Sequence, residues 1–286
     1  MNNEYIYPSK DLLDNEDKDL ESKYYKLNKI LLKKDLNDKL IIPIGIDQDK
    51  KRYYVDLKDS SGIFIGGETG SGKSMLLDSL MITLLFKNSP DELKFILINP
   101  CRVELEYYSN LPHVMKYMIY DPRQAIEELN NTIQTIKERL RLLKKSKFKH
   151  INDYNSNNEE KLSHIIILID ESNDVMEQKH SKKLIKKILK KGHYAGVHLI
   201  LATSSYFKKD FDKSIINSFS HVLSLDLASK EQADFINLKG ADLLTVAGEA
   251  LVRTSGSINK IQVPYVSDKE IKKVLSFIEK ENSEIK

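Results

Sequence analysis

Gly62-Ile63-Phe64-Ile65-Gly66-Gly67-Glu68-Thr69-Gly70-Ser71-Gly72-Lys73-Ser74-Met75 decides the reading of this chain. Residues 67–74 match the phosphate-binding pattern G-x-x-x-x-G-K-[ST] in full. The apolar run before it, Gly62 to Gly66, suits a buried parallel strand. The apolar, Gly-free run after it, Met75 to Phe86, suits a helix. Strand, glycine-rich loop and helix is the context this loop needs. Gly67, Gly70 and Gly72 let the backbone turn its N–H groups inward without Cβ clashes. Those N–H groups, with Glu68, Thr69 and Ser71 between the glycines and Met75 in the first helical turn, then hold a polyphosphate. Lys73 can reach the β- and γ-phosphates, and the Ser74 hydroxyl can ligate Mg²⁺. The expected ligands are ATP and Mg²⁺.

Chemistry at such a loop needs a carboxylate near the metal and a group that activates water. Ile165-Ile166-Ile167-Leu168-Ile169-Asp170-Glu171 supplies both. An apolar strand carries Asp170 to the C-terminal edge of a parallel sheet, where such sheets bind ligands. Asp170 is the expected metal partner, through water, and Glu171 the group that polarises the attacking water. Leu199-Ile200-Leu201-Ala202-Thr203-Ser204 ends a further apolar strand in hydroxyls on the same edge. Thr203 or Ser204 is the candidate γ-phosphate sensor. Ser and Thr also cap helices and make turns, so this signal is weaker.

The rest of the chain fits around these strands. Residues 1–40 are polar and charged and read as an extension, with a short docking helix around residues 19–34 that carries Leu27, Ile30 and Leu31. Residues 41–286 read as the ATPase domain. Leu40 to Asp47 and Tyr53 to Leu57 read as two strands joined by a charged turn. Leu93 to Asn99 is a buried strand, and Arg123 to Lys145 a long helix with a continuous apolar stripe. Residues 144–161 read as a polar loop. Ser181 to Lys191 is a helix, Val197 to Thr203 a core strand and His221 to Leu227 another. A late hairpin turns around residues 255–257, and Asp268 to Glu279 is a terminal helix. Apolar strands alternating with helices predict an α/β fold. It is a P-loop NTPase with a mostly parallel sheet and helices on both faces.

Composition excludes several classes. The 286 residues are 41% hydrophobic, enough for a sizeable core. Lys+Arg at 45 against Asp+Glu at 42 leaves +3, so any nucleic-acid surface must be local. One cysteine, Cys101, excludes an internal disulfide framework and fits a reducing compartment; it reads as packed. No run reaches membrane-spanning length and no signal-peptide core opens the chain, so the expected location is cytoplasmic, with any membrane link made through a partner. The seven histidines show no paired metal-ligand spacing.

Taken in order, the motifs resemble the FtsK/SpoIIIE-type DNA translocases. Beyond Asp56-Leu57 and the loop itself, the matching positions include Ser89-Pro90, Glu92, Phe95-Ile96, Ile98-Asn99-Pro100, Glu104-Leu105, Tyr108 and Pro112-His113. Glu138-Arg139, Tyr154-Asn155, Asp170-Glu171, Ala195-Gly196-Val197-His198-Leu199 and Leu201-Ala202-Thr203 follow. Ser229-Lys230, Gly240-Ala241 and Gly248-Glu249-Ala250-Leu251-Val252 complete the series, which covers about residues 41–275. The resemblance implies a compact RecA-like motor, assembled as a ring, typically a hexamer, with duplex DNA in its channel. It suits a plasmid, phage or conjugative element, with a membrane or relaxase partner.

The departures are specific. The family's A-T-Q-R-P stands here as Ala202-Thr203-Ser204-Ser205-Tyr206, and two family arginines fall on His193 and Asp234. An arginine supplied by a neighbour stabilises transition-state charge. Arg253 is the remaining candidate for that role. Lys182, Lys183, Lys186 and Lys187 cluster on the outer side of the 181–191 helix, and Lys208, Lys209 and Lys213 follow the strand ending in Thr203. These seven are the candidate DNA phosphate contacts, because in the family the corresponding loops line the channel. Lys144, Lys145, Lys147 and Lys149 read as a solvated run. Two other functions remain open: a family motor that moves protein, as in type VII secretion, and a low-turnover ATP-binding coupling or scaffold subunit.

Overall fold

Nine strands form one mixed sheet, and its centre carries the nucleotide loop. The computed structural model describes residues 5–13, 25–31, 38–101, 105–204, 211–254 and 256–282. The chain begins with β1 (Tyr25–Lys26), α1 (Leu27–Leu31), β2 (Ile41–Ile46), β3 (Arg52–Asp56), β4 (Ile63–Gly66) and α2 (Lys73–Lys87). Then come β5 (Leu93–Ile98), α3 (Pro122–Lys145), α4 (Ile151–Asn157), β6 (His164–Ile169), α5 (Asn173–Glu177) and α6 (Ser181–Lys191). β7 (Val197–Thr203), α7 (Lys213–Ile216), β8 (His221–Ser224) and α8 (Lys230–Phe235) follow. β9 (Glu249–Thr254), β10 (Ser257–Gln262), β11 (Pro264–Tyr265) and α9 (Asp268–Glu281) end the described chain.

The sheet order is β3-β2-β10-β9-β8-β4-β7-β6-β5; strands β4 to β8 pair in parallel, and β9, β10, β2 and β3 continue the sheet antiparallel on one side. The parallel strands are buried on both faces, which explains why β6 (His-Ile-Ile-Ile-Leu-Ile) has no polar alternation. Alternate residues feed two cores. Ile63, Ile65, Ile166 and Leu168 meet α2 and α9 on one face. Phe64, Ile165, Ile167 and Leu199 meet α3 and α6 on the other. Phe64 is fully buried there, edge-on to Phe211 and Phe219. Truncating it to Ala would cost about 3–5 kcal/mol.

The helix boundaries have local causes. The Asp121 side chain accepts the Arg123 N–H at 2.7 Å, and Pro122 fills the first helical position of α3. Ser267 and Glu270 make a reciprocal capping box on α9. The helix expected around residues 19–34 is described only as α1, whose Leu27 and Leu31 are buried in the core layer shared with α9. Its remaining residues lie outside the described segments.

Two expectations are corrected. Residues 151–157, expected as loop, form α4, because the His150 ring accepts the Asn152 N–H and Ile151 and Tyr154 are buried anchors. Cys101, expected to be packed, is exposed. It sits in the turn after Pro100, outside both core layers.

Candidate functional site

The nucleotide loop leaves the sheet at Gly66, which pairs with Thr203 on one side and Ser224 on the other. Lys73, Asp170, Glu171, Thr203 and Ser204 therefore converge on one edge, as their positions after three neighbouring strands require. The loop is tied down from outside. The Glu68 N–H donates to the Asp226 carbonyl and the Gly248 N–H to the Ser71 carbonyl, both at 2.8 Å. Gly72 sits at φ +105°, and a Cβ there would lie 2.8 Å from the Gly248 nitrogen. Only glycine meets both conditions.

Lys73 is 6% exposed, and its ammonium lies 3.5 Å from Glu171 Oε1 and 3.5 Å from the Glu68 carbonyl. The other carboxylate oxygen, Glu171 Oε2, accepts from Ser204 twice: from the N–H at 3.2 Å and from Oγ at 2.5 Å. Glu171 itself takes a φ of 45°, in the left-handed region. For a residue with a Cβ this costs on the order of 1–2 kcal/mol. Its N–H donates to Asp170 Oδ1 at 2.9 Å, which supports the turn. Asp170 is 1% exposed, and its N–H donates to the Ile98 carbonyl at the end of β5. The Thr203 hydroxyl donates to Asn173 Oδ1 at 2.6 Å.

These residues fit a Mg²⁺–nucleotide. Lys73 offers a desolvated cation at the start of α2. The buried Ser71 Oγ has no hydrogen-bond partner, and a Cβ on Gly70 would meet nothing within 4 Å, so the mouth of the loop is open. Ser74 and Asp170 present the oxygen donors that Mg²⁺ prefers.

Residues 31–208 match the FtsK/SpoIIIE family, more than half of the chain. The chain belongs to that family. The DNA translocase FtsK of Campylobacter jejuni is 30% identical over 259 residues, covering 87% of this chain and 27% of its own length. The chain thus spans about a quarter of that relative. Among solved structures, EssC (ATPases 2 and 3) from Geobacillus thermodenitrificans superposes with a TM-score of 0.76 at 18% identity, covering 91% of this chain and 51% of that one. The pCW3 conjugation coupling protein TcpA, solved with ATPγS, gives 0.74 at 18% identity, covering 89% and 74%. At those identities the likeness is one of fold: a P-loop ATPase α/β architecture, as expected for a RecA-like family member.

Arg253 is not brought to the nucleotide loop of its own chain. It pairs with Val222 and Ile258, two residues back from the Ser224–Leu251 row that flanks the loop. Its side chain shares the sheet face of Leu251, opposite α2. Nε and Nη2 are buried without a hydrogen-bond partner, and burial pulls the guanidinium below its usual value.

The lysines of α6 do share an outer face. Leu184, Ile185, Ile188 and Leu189 point into the core, while Lys183 and Lys187 are exposed and Lys182 and Lys186 half-exposed. Lys186 is 3.3 Å from Asp212, and Lys213 is exposed on α7. Lys208 and Lys209 lie outside the described residues. Lys144, Lys145, Lys147 and Lys149 are exposed at and after the end of α3, as a solvated run should be.

Asn173 was not anticipated. Nothing in its type marks it out, and only its place three residues after Asp170 hinted at proximity. Among the described residues no helix is long and apolar enough to cross a membrane. No cluster of three or more His, Cys, Asp or Glu among them is placed to hold a metal.

Proposed function

We propose that this chain is an ATP-driven motor that translocates double-stranded DNA, working as a ring of identical copies, a hexamer by family precedent. The observation that carries the reading is the Lys73–Glu171–Ser204 constellation at the mouth of a complete P-loop. Relatives near 30% identity are DNA translocases by name, which supports DNA as the substrate. The exposed lysines of α6 and α7 offer sequence-independent phosphate contacts. Exposed Leu243 and Val246 lie on the segment that reaches the loop at Gly248, an apolar surface that a neighbouring copy would cover. A compact motor of this kind suits mobilisation of a plasmid, phage or conjugative element in the cytoplasm, docked to a membrane or relaxase partner.

In this reading Lys73 and the loop N–H groups bind and orient the triphosphate, and Ser74 and Asp170 would hold Mg²⁺. A metal held there would supply positive charge against the developing phosphate oxyanion. Glu171 accepts hydrogen bonds from the attacking water and aligns it. Ser204 sets the direction of the Glu171 carboxylate. Arg253 acts on the site of the next copy.

A low-turnover coupling role is the second reading. The positions of two family arginines carry His193 and Asp234, and Arg253 is remote from its own loop. Transport of protein is the third, favoured only by likeness of fold to the type VII secretion ATPase EccC of Thermomonospora curvata. ATPase assays over a range of protein concentrations, with and without duplex DNA, separate the three. Concentration-dependent, DNA-stimulated turnover supports the motor. Turnover indifferent to DNA points to a protein substrate, and turnover near zero under all conditions points to coupling.

A further inference from the structure

The turn that carries Glu171 is stapled to the end of β7. The Ser172 N–H donates to the Ala202 carbonyl at 3.1 Å, and the Thr203 hydroxyl donates to Asn173 Oδ1 at 2.6 Å. Ser204 donates to Glu171 Oε2 through both its N–H and its hydroxyl. Residues 202, 203 and 204 thus hold residues 172, 173 and 171. From the other side, the Asp170 N–H donates to the Ile98 carbonyl, and Asp170 Oδ1 accepts the Glu171 N–H.

Strand alternation fixes where Thr203 faces. Leu199 and Leu201 belong to the core that holds α3 and α6, whereas Ile200 and Ala202 belong to the core that holds α2. With a period of two, Thr203 falls on the side of Leu201. Val175 and Met176 of α5 pack in that same core, and Asn173 opens that helix. Thr203 therefore turns toward α5 and away from the layer of α2, which Lys73 begins.

Hydrogen-bond protons give the same result. A hydroxyl carries one proton. That of Thr203 goes to Asn173 and that of Ser204 to Glu171. While those bonds stand, neither hydroxyl can donate to a γ-phosphate.

The turn needs this support. Glu171 stands in the left-handed region at φ 45°. A residue with a Cβ keeps that conformation only where its surroundings over-determine it. The Ser172 bond is between backbone groups and is open to any sequence. The Thr203–Asn173 bond depends on these two side chains. Thr203 is fully buried, so its proton needs an acceptor, and Asn173 Oδ1 is in place to be one.

We propose that Asn173 is a positioning residue for hydrolysis: by accepting the Thr203 proton it locks the turn that aims Glu171, and neither Thr203 nor Ser204 reads the γ-phosphate. This rests on the P-loop reading above, and the experiment has one arm that needs no nucleotide. In the ligand-free full chain, Asn173→Ala should speed amide exchange of residues 171–173 about tenfold, with no matching rise along β6 and β7. In the nucleotide arm, Asn173→Ala and Thr203→Val should each lower kcat about tenfold and leave calorimetric ATP and ADP affinities within about twofold. Thr203→Ser keeps the hydroxyl and should restore turnover. Added to Glu171→Gln, Asn173→Ala should cost less than about twofold more, because it acts through the Glu171 carboxylate.

A loss of ATP affinity relative to ADP in Thr203→Val would put Thr203 on the γ-phosphate and overturn the proposal. So would unchanged exchange at residues 171–173, or a uniform rise across the sheet. Failure of the P-loop reading looks different: wild-type protein binds no ATP, while the exchange arm still decides whether Asn173 holds the turn.

Discussion

Ser204 grips one oxygen of Glu171 with two donors, its N–H at 3.2 Å and its hydroxyl at 2.5 Å, while Lys73 faces the other oxygen at 3.5 Å. A γ-phosphate would compete for Lys73 but leave the Ser204 grip intact. Ser204→Ala should therefore act on turnover and not on nucleotide affinity. Removing a hydrogen bond to a charged group is worth about 1.5–3 kcal/mol, so kcat should fall about ten- to hundredfold. Calorimetric ATP affinity should stay within twofold. A matching loss of affinity would place Ser204 on the phosphate itself.

Lys73 and Glu171 should separate cleanly by substitution. Lys73→Ala removes a charge-assisted phosphate contact and should weaken ATP by about 1.5–3 kcal/mol. Glu171→Gln should retain ATP and cut hydrolysis by about 10²–10⁴, because an amide is a poor proton acceptor. Wild-type turnover in the second variant would move water activation to another residue.

If the chain works as the proposed ring, Arg253→Ala should lower turnover about a thousandfold, with ATP affinity unchanged. Mixing this variant with Glu171→Gln protein offers a second readout. If Arg253 works across a subunit boundary, mixed rings regain activity at sites that pair an intact Glu171 with an intact Arg253. No recovery at any ratio would argue against the trans role.

Charge reversal at Lys183 and Lys187 should reduce DNA stimulation and spare basal ATPase. Each phosphate contact adds about 0.9 to the slope of log affinity against log salt on duplex DNA. Losing two should flatten that slope by about 2. An unchanged slope would make the outer face of α6 a solvated surface.

Acid should destabilise the fold. Burial pushes His164 down to about 3 and His113 and His221 each to about 4, and His198 lies well below its usual value. His164 Nδ1 and His198 Nε2 share one hydrogen bond at 3.1 Å, an arrangement that needs at least one unprotonated nitrogen. A histidine kept neutral in the fold contributes its stability above an unfolded value near 6.5. That contribution declines as pH drops toward 3–4, by about 1.4 kcal/mol per unit for each such group. Tm should therefore fall steadily from pH 7 to pH 5. Replacing His164 and His198 together by Leu and Phe should flatten that descent, as followed by calorimetry or circular dichroism.

Much of this was legible in sequence because buried parallel strands leave no ambiguity. Ile165–Ile169 and Val197–Ala202 have no polar face to suggest anything else, and the residues after them had to share an edge. The long helix begins at Pro122 and the terminal helix at Asp268, within a residue of the starts expected, and the Asp121 cap and the Ser267–Glu270 capping box are what fix them. α4 was hidden because Asn and Ser dominate it, and two buried anchors, Ile151 and Tyr154, outweigh that composition only once tertiary contacts exist. The two hairpins were visible as pairs. Their side-by-side place in the main sheet was not, since the Gln262–Ile46 pairing joins strands far apart in sequence. The Thr203–Asn173 bond escaped for the same reason. Arg253 looked available by residue type alone, and only strand register showed its distance from the loop.

The tethers on the nucleotide loop carry a thermodynamic consequence. Glu68 and Ser71 are each tied by a backbone bond to the β8–β9 connection, and Gly72 is wedged against Gly248. The conformational entropy of that loop is thus lost when the chain folds and not when ligand arrives. Binding meets a preorganised receptor, so affinity is not diluted by loop ordering. The same stiffness makes β9 the neighbour that must yield if the loop changes shape. β9 is joined in turn to β10, and β10 to β2 through the Gln262–Ile46 pair, so the loop's tether belongs to the antiparallel flank of the sheet.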